Sequence, residues 1–168
     1  AINGAAWDSE NNQFFFVSES GTELWVSDFD EDAPAYLVGT LDPSAIEGTF
    51  LNDTYYYFDE DNKLWANVLD ENMNMNQLLI GLIGTELTII DLAASPDGQG
   101  LYIIVVNDEG VSELIFYNFN DQTVSDVASL GENLFQIAVD EDGDIHVIED
   151  TVEEDNSTIH DIDKDSGD

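Results

Sequence analysis

The sequence predicts an all-β chain of four repeated units, and three observations lead to this class. Short runs of aromatic and β-branched residues recur at 14–17, 55–58 and 102–106. Turn-forming pairs such as Ser20-Gly21 and Asp142-Gly143 separate such runs. No long segment carries the helical period of about 3.6 residues. Short β-prone runs bounded by turn residues are typical of strands.

The units share one order of strands. A short apolar strand ends near an acidic residue or Asn, an aromatic-rich strand follows, and a third strand of the type charged-Leu-Trp comes after a tight turn. Equivalent positions in the third strands lie 40, 50 and 45 residues apart, at Leu24, Leu64, Leu114 and Ile159. A fourth strand is expected over 35–41, 77–83 and 124–130. Four strands in about 40 to 45 residues is the period of a β-propeller blade.

We therefore predict an all-β, β-propeller-type array of four four-stranded blades with the last blade incomplete. One domain is expected over residues 1–168. Its units cover about 4–42, 45–85, 88–131 and 132–168, as read from the repeat.

A short motif in the third unit strengthens this interpretation. Residues 95–98 read Ser-Pro-Asp-Gly, which resembles the signature of TolB-type propeller repeats with WD-repeat-like blades. Residues 140–143 read Asp-Glu-Asp-Gly and resemble a weaker variant at the matching place, so the motif is complete only in the third unit. The resemblance implies that the Asp and Gly shape the turn after the innermost strand and are structural, not catalytic.

The charge balance excludes several partners. The chain has 38 Asp and Glu against 2 basic residues, Lys63 and Lys164, and a formal net charge of -36. No basic patch can form, so we expect no nucleic-acid binding and no attraction to anionic lipid. No apolar run reaches the roughly 18 residues of a membrane span, so membrane insertion is not expected either. A glycan or a protein stays open as a ligand.

The acidic surface also bears on habitat. Carboxylates at this density repel each other, and salt or bound cations would relieve the repulsion. A chain with two Lys and no Arg offers trypsin-like proteases almost nothing to cut. We expect an extracellular or cell-surface protein, and the alternative is the cytoplasm of a halophile. The absence of Cys fits either compartment.

The fourth unit has no segment that reads as an outer strand. An unpaired sheet edge is a template for strand addition from another copy. We therefore expect a homo-oligomer that assembles through open sheet edges into a ring or a filament. The alternative is a trimmed fragment from which the missing strand was left out.

Two acidic clusters are candidate calcium sites, because Ca²⁺ takes several oxygen ligands from a turning backbone. One cluster surrounds Gly167 and the other surrounds Gly143. The candidate ligands are Asp161, Asp163, Asp165 and Asp168 in the first cluster, and Asp140, Asp142 and Asp144 in the second. The alternative is that these acidic turns are simply solvated surface.

Nothing in the sequence singles out a catalytic centre. Cys is absent, and so are the nucleophile-elbow, phosphate-loop and His-Glu-x-x-His motifs. His146 and His160 could form a metal pair or a proton relay, although ordinary strand histidines are favoured. Trp25 and Trp65 are expected to pack between blades and not to form a sugar-stacking platform.

We therefore expect a non-catalytic, structural or adhesive propeller module that self-associates and whose acidic surface is stabilised by cations. The alternatives are a propeller scaffold that binds a protein or a glycan, and a fragment of a propeller hydrolase or lactonase.

Overall fold

A computed structural model describes residues 3–28, 33–84, 87–131, 134–151 and 156–163. Within these ranges the regular elements are strands, and they form four antiparallel sheets. Three sheets have four strands and the last has three. The expected propeller-type fold of four blades with an incomplete last blade is therefore confirmed.

The chain divides into two compact units, Ala1–Leu82 and Ile83–Asp168. Within each blade the strands are hydrogen-bonded in chain order. The strands of unit 1 are β1 (Asn3–Asp8), β2 (Gln13–Val17), β3 (Glu23–Ser27) and β4 (Tyr36–Thr40) in blade 1, and β5 (Glu47–Leu51), β6 (Thr54–Phe58), β7 (Lys63–Leu69) and β8 (Met75–Leu82) in blade 2.

The strands of unit 2 are β9 (Thr88–Ala94), β10 (Gly100–Val106), β11 (Ser112–Asn118) and β12 (Val124–Ser129) in blade 3, and β13 (Leu134–Val139), β14 (Ile145–Thr151) and β15 (Asn156–Ile162) in blade 4. The organisation of residues 1–168 as one domain remains a prediction.

The core of unit 1 lies between blades 1 and 2. Phe15 of β2 stacks on Phe50 of β5, with ring centroids 4.3 Å apart. The hydroxyl of Tyr55 donates a hydrogen bond to the carbonyl oxygen of Gly4 at 2.7 Å, which ties β6 to β1. A Cβ atom at Gly4 or Gly48 would collide with the Tyr55 hydroxyl. These two glycines are therefore the reason that a tyrosine can bridge the two blades.

The core of unit 2 lies between blades 3 and 4. Ile104, Leu114 and Ile145 are fully buried members of this cluster. β10 is buried at six of its seven positions, because it is a central strand covered on both faces. This explains why 102–106 reads as a continuous apolar run and not as an alternating one.

The outer strand of each four-stranded blade contains one extra residue. Pairing with the third strand skips Val38 in β4, Ile80 in β8 and Val127 in β12. Such a bulge bends the strand and redirects its side chains. Val38 and Val127 pack against the cores of their units. The three complete blades thus share a structural feature that their sequences do not show as a motif.

The described residues contain no helix long and apolar enough to cross a membrane.

Candidate functional site

Acidic and amide side chains shape the hairpin turns of the blades. Oδ1 of Asp140 accepts hydrogen bonds from the backbone N–H groups two and four residues further on, at 3.0 and 2.9 Å. Asp59 and Asp70 make the same pair of contacts. Asn107 does so with a neutral amide oxygen. The shared role of these four side chains is therefore to fix a turn, and a charge is not required for it.

Three of the predicted calcium ligands lie in the turn between β13 and β14. Asp140, Asp142 and Asp144 are exposed. The pKa of Asp140 is lowered, mainly because the hydrogen bond from the backbone N–H of Asp144 favours the ionised carboxylate. In the part of the chain that the structure describes, no three His, Asp or Glu side chains are grouped closely enough to hold a metal ion. Calcium binding at this turn remains a prediction.

The other predicted calcium cluster is only partly described. Asp161 is the penultimate residue of β15, and Asp163 follows that strand; both are exposed. Asp165 and Asp168 lie outside the described residues. Calcium binding by these four residues likewise remains a prediction.

The two histidines of blade 4 contact carboxylates. Nδ1 of His146 lies 2.7 Å from Oδ1 of Asp161, which is directly opposite on β15. Nε2 of His146 lies 3.7 Å from Oδ2 of Asp140. The hydrogen bond with Asp161 is the main cause of a raised pKa at His146. Nε2 of His160 lies 2.9 Å from Oε2 of Glu149. Both pairs connect β15 to β14.

A buried carboxylate supports the indole of Trp65. Oδ2 of Asp59 accepts a hydrogen bond from Nε1 of Trp65 at 2.9 Å, and Asp59 is almost completely buried. Trp65 packs against the core between blades 1 and 2, as expected from its place in the repeat. Trp25 is half-buried and donates to Glu23 at 3.3 Å.

Asp91 is a half-buried carboxyl on β9 that the sequence interpretation did not single out. Its Oδ2 accepts a hydrogen bond from the backbone N–H of Ile137 on β13 at 2.9 Å. Its Oδ1 accepts from the N–H of Leu92 at 2.8 Å. Burial raises the pKa of Asp91 to about 6 in spite of these bonds. The available signal was a lone acid inside the apolar stretch 88–94.

Among the described strands, β8 has the largest number of exposed large apolar side chains. Leu78, Leu79 and Leu82 are 46%, 56% and 52% exposed. The strand is the last of its sheet and carries no charged residue. A long apolar edge strand with unpaired backbone groups is a preferred site of strand pairing. The sequence showed an apolar segment here, but not that its leucines face solvent.

No protein-family model and no curated protein sequence matches the chain, whereas solved propeller structures do. TolB from Acinetobacter baumannii matches with a TM-score of 0.66 and 15% identity, over 99% of this chain and 42% of TolB. A gluconolactonase from Xanthomonas campestris matches with a TM-score of 0.71 and 18% identity, over 98% of this chain and 59% of that one. Nidogen, from the nidogen/laminin complex, matches with a TM-score of 0.67 and 13% identity, over 88% and 56%.

These likenesses show the fold and correct one expectation. The chain spans 42% to 59% of the length of the three matched chains. The prediction that the protein is not an enzyme is wrong, because its structural neighbours include the gluconolactonase and a second propeller enzyme. That prediction relied on missing motifs, and a propeller can assemble a site from single residues of several blades, which leaves no local motif.

Proposed function

We propose that this propeller segment is an adhesive module that associates with copies of itself through open strand edges. The observation that carries this proposal is the placement of exposed apolar side chains on the outer strands. Tyr36 and Leu37 on β4 are exposed, as are the three leucines of β8. Outer strands have one unpaired edge, so apolar side chains there favour pairing with another strand.

Electrostatics restricts where two copies can meet. A net charge of -36 makes most approaches repulsive, and at 0.1 M salt this repulsion is largely screened only beyond about 10 Å. Contacts at uncharged strands avoid it. Cations that neutralise the acidic surface assist association. The specific form of this proposal is that calcium binds at the two acidic clusters, formed by Asp140, Asp142, Asp144, Asp161, Asp163, Asp165 and Asp168.

The proposed location is outside the cell or on its surface. The near absence of Lys and Arg protects an exposed chain from trypsin-like proteases. The cytoplasm of a halophile is the competing location, since molar salt would also screen the carboxylates.

Sedimentation velocity tests self-association. The full chain is measured over a range of concentrations in NaCl, in NaCl with millimolar CaCl₂, and in NaCl with EDTA. We expect the sedimentation coefficient to rise with concentration and to rise further in calcium. A monomer at every concentration would overturn self-association, and identical profiles in calcium and EDTA would overturn the calcium sites alone.

A second candidate function is hydrolysis of lactones, and Asp91 is the observation that favours it. Its pKa of about 6 would let the carboxylate take a proton from a water molecule near neutral pH while the oxygen of that water attacks the carbonyl carbon of a lactone. The proton then passes to the leaving ring oxygen, and the product is the hydroxy acid. The likeness to a gluconolactonase supports the choice of substrate class.

Titration of acid released from gluconolactone tests this candidate. We expect hydrolysis above the buffer rate, and its loss in Asp91→Asn. The matched control is Asp126→Asn, which removes an exposed carboxylate from β12. Activity at the buffer rate in the unmodified chain, or full activity in Asp91→Asn, would contradict the assignment.

A further inference from the structure

The eight residues of β8 form a neutral strand on a strongly acidic protein. Their sequence, MNQLLIGL, has no ionisable side chain. The nearest acids along the chain are Glu71 and Glu86. β8 pairs with β7 on one side and is the end of its sheet on the other. The strand therefore combines a free edge with three exposed leucines and carries no charge of its own.

The outer strands β4 and β12, and β15 at the end of the three-stranded sheet, lack this combination. β15 exposes Ile159 but carries Asp161. β12 carries Asp126, which would face a partner strand. β4 has five residues, and Met75 of blade 2 lies against its Gly39. β8 is longer and uncharged, and three of its leucines are exposed, so the edge most suited to pairing belongs to blade 2.

We infer that β8 pairs antiparallel with β8 of a second copy about a two-fold axis near Leu78 and Leu79. This inference rests on the proposed self-association and assigns its surface. The run is nearly self-complementary, because antiparallel pairing centred between the two leucines places Leu78 opposite Leu79 of the partner subunit. Met75 then lies opposite Leu82 of the partner subunit.

Charge and the nearly self-complementary run together favour a second copy as the occupant. A basic partner would be drawn to the acidic surface and not to a neutral strand. Repulsion between two copies of this acidic chain is smaller where the facing strands carry no charge, and an isologous contact brings β8 to β8. The bulge at Ile80 bends the strand and shortens the paired stretch. The contact is therefore small, and we expect a weak, concentration-dependent dimer.

Matched substitutions and sedimentation velocity test the surface. Leu79→Lys places a charge at the centre of the pairing, and Val124→Lys makes the same change in charge at an exposed apolar position on β12. Each lysine lowers the net negative charge, so general repulsion would decrease equally in both variants. Leu79→Thr, which keeps β-propensity, is the second variant in case Leu79→Lys does not fold by circular dichroism.

We expect the unmodified chain and Val124→Lys to dimerise and the Leu79 variants to remain monomeric at the same concentrations. A dimer that persists in every Leu79 variant that folds would overturn the β8 interface and leave self-association standing. A monomeric unmodified chain would overturn both. Loss of the dimer in Val124→Lys as well would show that β8 is not the specific surface, and would also contradict this inference.

Discussion

Asp91 makes the stability of the protein depend on pH in a direction set by its burial. Its pKa is about 6 in the folded protein, against about 3.9 for an Asp in an unfolded chain. The folded protein therefore holds the proton more tightly, and the free energy of unfolding rises as the pH falls. The full difference between the folded and unfolded pKa values corresponds to about 3 kcal/mol of unfolding free energy. About 1 kcal/mol of this is gained when the pH falls from about 7 to about 5.

Substitution by Asn isolates this contribution, because an amide does not titrate. Urea unfolding is followed at both pH values, which lie above the sequence pI of about 4.1. We expect the gain in stability on acidification to be smaller by about 1 kcal/mol in Asp91→Asn than in the unmodified protein. Asp126→Asn, at an exposed carboxylate, is the control and keeps the full gain.

The comparison between variants removes the collective effect of the other acids, which is common to all three proteins. An equal gain in Asp91→Asn and in the unmodified protein would refute the reasoning. It would mean that burial between β9 and β13 does not disfavour the ionised carboxyl.

Three further predictions concern buried or paired polar groups. Asp59→Ala removes the acceptor of three hydrogen bonds at a buried site and should lower the free energy of unfolding by about 2 to 4 kcal/mol. Asp70→Ala, at an exposed turn of the same kind, should lower it by about 1 kcal/mol or less. Equal losses in the two variants would contradict the role of burial. Neither side-chain polar atom of the buried Asn67 has a hydrogen-bond partner among the described residues. Asn67→Leu should therefore raise the urea midpoint and increase the free energy of unfolding by about 1 to 2 kcal/mol. A lower midpoint in the variant would refute this. NMR titration should give His146 a pKa above its ordinary value, and this pKa should be lower in Asp161→Asn. Stabilisation of the fold by this pair should be present at low pH and be lost as the pH rises through that pKa. An unchanged pKa in the variant would exclude the Asp161 contact as the cause.

The repeat was predictable because strand order and turns are local properties. The predicted outer strand over 77–83 lies within one or two residues of Met75–Leu82, since apolar runs and turn residues mark strand ends directly. The turn at Gly143, whose φ is 89°, also follows from sequence.

The site residues were less predictable, because they depend on contacts far along the chain. Asp91 is buried beside β13, where its Oδ2 accepts a hydrogen bond from the backbone N–H of Ile137, 46 residues away. The exposure of Leu79 depends on which side of its sheet is covered. A pattern of alternating residues contains neither fact. Asp140 was predicted as a metal ligand, and the structure shows in addition that its Oδ1 accepts hydrogen bonds from two backbone N–H groups of the turn.

Hydrogen exchange on β8 tests the central claim, that copies of this acidic chain meet at a neutral outer strand, most directly. Amide exchange is measured by mass spectrometry on dilute and concentrated protein at equal ionic strength. We predict that peptides covering 75–82 gain protection on concentration, while peptides covering the outer strand at 124–129 do not. Equal exchange of 75–82 at both concentrations, in a sample that sediments as a dimer, would contradict the claim.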